Sequence, residues 1–236
     1  MYQAILFDLD DTLFSLSGCE AQALQRTLDA AGLLARLPID FAERYAVISS
    51  KYWAARTADG YTQYGREEVI ELSWRDFLTH YGLDTGISAE LAEQFWTEFC
   101  RADALNPGAK AVLQCLSPHY RLGMITNGYS DSQRGRLGAA RLLDVFDPLL
   151  ISEEVGVAKP DIRIFKMALT HLGLPPEAVL YVGDSISHDR EGCLRAGIDF
   201  CHYCPSLKKA GDLPQVKFRV AELTDLIPLL LPDLTP

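Results

Sequence analysis

Short apolar runs at Ala4–Phe7, Leu122–Thr126, Leu149–Ser152, Val179–Val182 and Phe200–Tyr203 constrain the fold most, because the segments between the last four carry helical periodicity. Strands that alternate with helices in this way predict a parallel sheet. Helices are expected over Gly108–Leu116, Ser130–Leu137, Ile162–Leu172 and Asp189–Ala196. Pro107 and Pro160 stand at two entrances, and Gly173 and Gly197 lie just past two ends, as start and stop signals should.

Between the first and second apolar runs, the stretch from about Leu16 to Asp103 has helical patterning and no strand pattern, which predicts an inserted helical domain. Trp53, Trp74 and Trp96 all fall inside it, and packing into a small separate core is their expected role. Arg56, Tyr61, Tyr64 and Arg66 are candidate substrate contacts there, although a solvated helix face explains them equally well. The tail Leu226–Pro236 is expected to close the fold and then fray.

A chain of 236 residues with 48% hydrophobic and 23% charged residues has too much apolar material for disorder. Its formal charge of -10 works against binding a nucleic acid polymer or an anionic membrane surface, both of which need clustered Lys and Arg. No apolar run approaches the roughly 20 residues that span a bilayer, and the first residues lack a signal-peptide pattern, so a cytoplasmic location is expected. The cysteines (Cys19, Cys100, Cys115, Cys193, Cys201, Cys204) have no framework spacing and read as free thiols. Cys201 and Cys204 form a single CxxC, which offers too few soft ligands for a tetrahedral zinc site.

Asp8-Leu9-Asp10-Asp11-Thr12 directly follows the first apolar run, placing two carboxylates at i and i+2 just past the carboxyl end of a buried strand. Ligand sites in open α/β sheets form there. Alternation sends Asp8 and Asp10 to one side, where both can meet one substrate, and Asp11 to the other. An Asp-rich surface turn has the same local sequence, so the pair alone decides little. Three further segments also follow predicted strands: Thr126-Asn127-Gly128, Lys159-Pro160, and Gly183-Asp184-Ser185 with Asp189. Singly they read as a turn, a helix entrance and a loop before a helix. Their order and shared context make the set specific. His188 beside Asp189 reads as a neighbour of the site and not a member of it.

With these residues the whole chain resembles the haloacid dehalogenase superfamily, whose motifs are a DxDxT after the first strand, a Ser or Thr after the second, a Lys, and an acidic pair. Asp8/Asp10/Thr12, Thr126, Lys159 and Asp184/Asp189 fall into those motifs in order. A helical insert directly after the first motif is the superfamily's first cap type. The resemblance implies an α/β fold: a Rossmann-like parallel sheet with helices on both faces, plus an inserted all-helical cap domain. Residues 1–15 and 104–236 would form the catalytic core and residues 16–103 the cap.

The activity it implies is Mg2+-dependent hydrolysis of a small phosphate monoester through an aspartyl-phosphate. A phosphate dianion repels a bare carboxylate unless cations neutralise the site, and Mg2+ prefers octahedral oxygen ligands. The Asp8 carboxylate, the Asp10 backbone carbonyl and Asp184 would hold it, with Asp189 as a further ligand or a holder of its waters; Mn2+ or Co2+ also suits such a site. Asp8 would be the nucleophile and Asp10 the acid and then the base. Thr126 and the Asn127 N–H would hold phosphoryl oxygens, Lys159 would add a fixed positive charge, and Thr12 would tie the loop together.

Asp10 argues against a hydrolytic dehalogenase, because a halide leaves unprotonated. Sugar phosphomutases share both aspartates, and a noncatalytic binding protein could keep the fold. The run Ile151 to Phe165 (ISEEVGVAKPDIRIF), with Ile-Thr-Asn-Gly at 125–128, looks like the subgroup of bacterial pyrimidine nucleotidases and acylneuraminate-phosphate phosphatases. That resemblance implies a nucleoside monophosphate or a sugar phosphate as substrate.

Overall fold

The structure, a computed structural model, describes residues 2–56, 64–206 and 215–232. The chain divides into two compact units, Met1–Leu16 with Asp103–Pro236, and Ser17–Ala102. In the first unit β1 (Ala4–Phe7), β2 (Arg121–Thr126), β3 (Leu149–Ile151), β4 (Val179–Gly183), β5 (Asp199–Tyr203) and β6 (Phe218–Val220) form one sheet of order β3-β2-β1-β4-β5-β6. Every pairing is parallel. The helices in chain order are α1 (Leu16–Ala30), α2 (Phe41–Arg56), α3 (Arg66–His80), α4 (Ser88–Phe99), α5 (Ala109–Leu116), α6 (Ser130–Ala139), α7 (Ser152–Val155), α8 (Ile162–Leu172), α9 (Glu191–Ala196) and α10 (Leu226–Leu230).

β1 lies mid-sheet, with Phe7 opposite Met124 of β2 and Val182 of β4. All its residues are fully buried, which is why it reads as an unbroken apolar run with no polar alternation. Burial of Ile5, Leu6 and Phe7 stabilises the fold by about 1.5–3 kcal/mol each. One sheet face, with Ala4, Leu6, Val179, Tyr181 and Phe200, packs against Ile164, Phe165, Ala168 and Leu172 of α8 and Cys193 of α9. Ile5 and Phe7 alternate to the opposite face and are equally buried, so that face is covered too. Asp161 caps α8 by accepting from the Arg163 N–H, and Gly173 ends it at φ 64°.

Two local expectations change. Ser152 starts α7 and does not extend β3. The helix expected from Asp189 opens as a wide π-type turn over Ile186–Arg190 before α9. The Ser185 carbonyl accepts from both the Asp189 N–H at 3.0 Å and the Arg190 N–H at 3.1 Å, which widens the turn. β6 is an addition that the apolar pattern did not reveal.

Among the described residues the second unit is entirely helical in its regular elements. Its core is an aromatic cluster in which Tyr45 lies 5.2 Å from Trp74, 5.5 Å from Phe77 and 5.3 Å from Phe95 by ring centroids. Trp74 is fully buried, so packing is its role. Trp53 and Trp96 are half-buried and carry Arg56 and Arg66 over their rings at 5.8 and 4.4 Å. Arg56 also donates to the Tyr64 carbonyl at 3.2 Å, and Arg66 pairs with Glu67 at 2.7 Å. Tyr61 lies outside the described residues.

Among the described residues none of the six cysteines forms a disulfide. Cys201 is buried in β5, and that burial pushes its thiol up to about 12. Among the described residues no helix is long and apolar enough to cross a membrane.

Candidate active site

The chain leaves β1 with the sheet ladder still intact, since the Asp8 N–H donates to the Val182 carbonyl at 2.9 Å. This seats a buried carboxylate at the carboxyl edge of the sheet, level with Gly183. Lys159 Nζ donates to Asp8 Oδ1 at 2.5 Å, to Asp189 Oδ1 at 2.7 Å and to the Tyr181 hydroxyl at 3.0 Å. These partners match the three donors of an ammonium. The Tyr181 hydroxyl in turn lies 3.0 Å from the Ile125 carbonyl and 3.1 Å from Asp189 Oδ1. Asp189 Oδ2 accepts from the Ser185 N–H at 3.1 Å. A Cβ on Gly183 would collide with the Asp189 carboxylate, so this close approach requires glycine.

Asp8, Asp184 and Asp189 each offer a carboxylate oxygen, all within 4.8 Å of one another, the one such group of His, Cys, Asp or Glu among the described residues. The Thr12 hydroxyl bridges two of them, 3.3 Å from Asp8 Oδ2 and 3.4 Å from Asp184 Oδ1. Burial pushes Asp8 up, Lys159 pulls against it, and Asp189 and Asp10 add to the rise. Asp184 is pushed up to about 6 by burial, then by Asp189 and Asp11. Burial works against the Lys159 charge, but Asp8 and Asp189 outweigh it and hold the ammonium above the ordinary lysine range. Three carboxylates thus gather about one ammonium. Excess negative charge on hard oxygen donors fits a divalent cation of the Mg2+ kind.

Of the residues singled out from sequence, Asp8, Thr12, Lys159, Asp184 and Asp189 therefore come together. Asp10, near enough to Asp8 to add to the rise of its carboxyl, has partners of its own. Its carboxylate pairs with Arg136, Nη1 to Oδ1 at 2.5 Å and Nη2 to Oδ2 at 3.1 Å, and Gln133 Nε2 donates to Oδ2 at 3.1 Å. Asp11 is left-handed, at φ 57°, and its carboxylate accepts from the Leu16 N–H at 3.0 Å. Thr126 is buried, and its hydroxyl accepts from Gln133 Nε2 at 3.0 Å. The Asn127 side chain faces the Lys159 backbone. His188 is exposed, with Nδ1 3.1 Å from the Ser185 hydroxyl, outside the carboxylate group.

Sequence reasoning missed Arg136, Gln133 and Tyr181. The first two became apparent only from their burial in α6. Ser132, Gln133 and Arg136 are buried on the face that also carries Leu137, so polar groups stand where an apolar stripe is the rule.

The chain is 33% identical over 210 residues to the pyrimidine 5'-nucleotidase YjjG of Escherichia coli (strain K12), covering 84% of each chain. It is 32% identical over 213 residues to a phosphoserine phosphatase of Thermus thermophilus, covering 82% of this chain and 85% of that one. The crystal structure of the HAD-hydrolase YfnB from Bacillus subtilis bound to magnesium superposes with a TM-score of 0.79 at 26% identity, over 98% of this chain and 99% of that one. The family model for haloacid dehalogenase-like hydrolases matches residues 2–197, and the chain belongs to that family.

Proposed function

We propose that the protein is a Mg2+-dependent phosphatase of small phosphate monoesters, with nucleoside monophosphates as the first substrate class, working through an aspartyl-phosphate on Asp8. The observation that carries this reading is the seating of Asp8: buried at the sheet edge, bonded to Lys159 at 2.5 Å and grouped within 4.8 Å with Asp184 and Asp189. The Asp8 carboxylate, the Asp10 backbone carbonyl and Asp184 would hold Mg2+, with Asp189 beside them. Bound there, the ion supplies the positive charge that lets a carboxylate approach a phosphate dianion.

The chain's own residues then divide the work. Asp8 attacks phosphorus while Asp10 gives a proton to the departing oxygen, and Asp10 later takes one from the attacking water. Thr126 and the Asn127 N–H hold phosphoryl oxygens. Lys159 keeps Asp8 in place and balances charge. The helical unit Ser17–Ala102 serves as a cap and selects the leaving group. The relatives' names, which span a pyrimidine nucleotide and phosphoserine, support a small phosphorylated metabolite as substrate.

The test is phosphate release from nucleoside monophosphates, sugar phosphates and p-nitrophenyl phosphate, with and without Mg2+. Release should depend on Mg2+, and Asp8→Asn should lower it on the order of 10⁴-fold or more. A folded Asp8→Asn protein that turns over at the wild-type rate would overturn the reading.

A further inference from the structure

The mechanism above uses Asp10 but does not explain the side chains that grip it. Arg136 is 1% exposed, beneath an Asp10 carboxylate that is 24% exposed. The guanidinium lies 5.7 Å from the Phe14 ring centroid, and its Nε points at the Ser132 carbonyl 3.4 Å away. The Gln133 Oε1 accepts from Arg136 Nη2, which fixes the amide orientation and turns Nε2 toward Asp10. Nε2 also lies 3.0 Å from Thr126 Oγ1 and 3.0 Å from the Asn127 carbonyl. One amide therefore reaches both Asp10 and the loop proposed to bind phosphate.

An ionised carboxylate has about four lone-pair sites, two on each oxygen. Arg136 Nη2 and Gln133 Nε2 fill both sites of Oδ2, and Arg136 Nη1 fills one of Oδ1. A single site on Oδ1 is left. A planar fork fixes the plane of a carboxylate in a way that a flexible ammonium cannot.

We propose that Arg136, oriented by Gln133, is the positioning residue of Asp10, and that it assigns proton exchange to Asp10 Oδ1. This rests on the phosphatase reading. In the first half-reaction a bond forms between an Asp8 oxygen and phosphorus, the ester P–O bond breaks, and the Oδ1 proton passes to the departing oxygen. In the second, water oxygen bonds to phosphorus, one of its protons goes to Oδ1, and the Asp8–phosphorus bond breaks to release phosphate. A misplaced Oδ1 slows departure of an alkoxide, which needs the proton, and spares p-nitrophenolate, which does not.

The experiment compares kcat/KM for an alkyl ester, a nucleoside 5'-monophosphate, with that for p-nitrophenyl phosphate, at saturating Mg2+. This parameter reports only the steps up to leaving-group departure, so slow hydrolysis of the intermediate does not enter. Asp10→Asn sets the scale for complete loss of the acid. Arg136→Lys keeps the charge and loses the fork; Gln133→Met removes the Nε2 donor and the fixed amide.

Arg136→Lys should lower kcat/KM for the nucleotide by about 10²-fold, the scale of a misplaced catalytic group, with p-nitrophenyl phosphate little affected. Gln133→Met should show the same bias in smaller measure. Equal losses on both esters, no loss on either, or failure of both variants to fold would each make these residues structural and overturn the inference. A wild-type protein that hydrolyses neither ester would instead overturn the phosphatase reading, a result visible before any variant is made.

Discussion

Asn127 and Lys159, 32 residues apart, exchange two hydrogen bonds through one side chain: Asn127 Nδ2 donates to the Lys159 carbonyl at 3.0 Å, and the Lys159 N–H donates to Asn127 Oδ1 at 2.8 Å. A side-chain amide thus stands in for a stretch of sheet ladder and ties the loop after β2 to the loop before α8. The backbone N–H proposed to hold a phosphoryl oxygen and the ammonium that holds Asp8 are fixed by the same residue.

Replacing Asn127 with Ala leaves both partners unpaired in a half-buried setting. The expected loss of stability is about 1–3 kcal/mol, measured by urea unfolding. Phosphate release should fall roughly 10²-fold as Lys159 loosens. Asn127→Asp, which keeps the acceptor and loses the donor, should fall between wild type and Asn127→Ala on both measures; a ranking outside that order would mean that the reciprocal pair is not what positions Lys159.

Gly128 adopts φ 155°, and a Cβ there would run into the Gln133 side chain. Gly128→Ala is therefore expected to strain the backbone and to push Gln133 off Asp10 and Thr126. The cost should be about 1–3 kcal/mol, read as a lower urea midpoint at an unchanged slope. An alanine variant as stable as wild type would show that Gln133 can give way freely.

Glu154 accepts from Arg134 Nε at 2.6 Å, Arg134 Nη2 at 2.9 Å and the Ser130 hydroxyl at 2.5 Å. The Arg134 hydrogen bonds, helped by Ser130 and opposed by partial burial, hold its carboxyl below the ordinary value of 4.5. A folded value below the unfolded one stabilises the fold fully above 4.5, and the gain is lost as pH falls through the folded value. Because Arg134 is 46% and Glu154 28% exposed, the gain at neutral pH should stay within about 1 kcal/mol. Urea unfolding of Glu154→Gln against wild type should show that gap at pH 7 and its closure in acid. A gap that persisted in acid would assign it to packing and not to charge.

Legibility in the sequence followed burial. β1, β2, β4 and β5 show themselves because a strand buried along nearly its whole length cannot alternate, β3 by its apolar run Leu149–Ile151, and α8 because Asp161 and Gly173 mark its ends. β6 does not, since Phe218-Arg219-Val220 is short, carries a charge at its centre and pairs with β5 alone at the sheet edge. Asp8, Lys159, Asp184 and Asp189 stand out as charged residues that follow apolar runs. Arg136 and Gln133 do not, because polar residues on a helix read as solvent-facing and only the tertiary fold turns them inward. The partners of Asp10 were equally hidden, since Gln133 and Arg136 lie 123 and 126 residues further along the chain.

The mid-sheet place of β1 has a consequence for biosynthesis. Asp8 emerges from the ribosome 151 residues ahead of Lys159. At about 5–20 residues per second that wait is on the order of ten seconds. Throughout it β1 lacks its neighbour β4, and a nascent chain that ends before β4 lacks two of the three clustered carboxylates. On the proposed mechanism hydrolytic competence therefore arrives late in translation, and chains terminated before β4 should not hydrolyse phosphate esters.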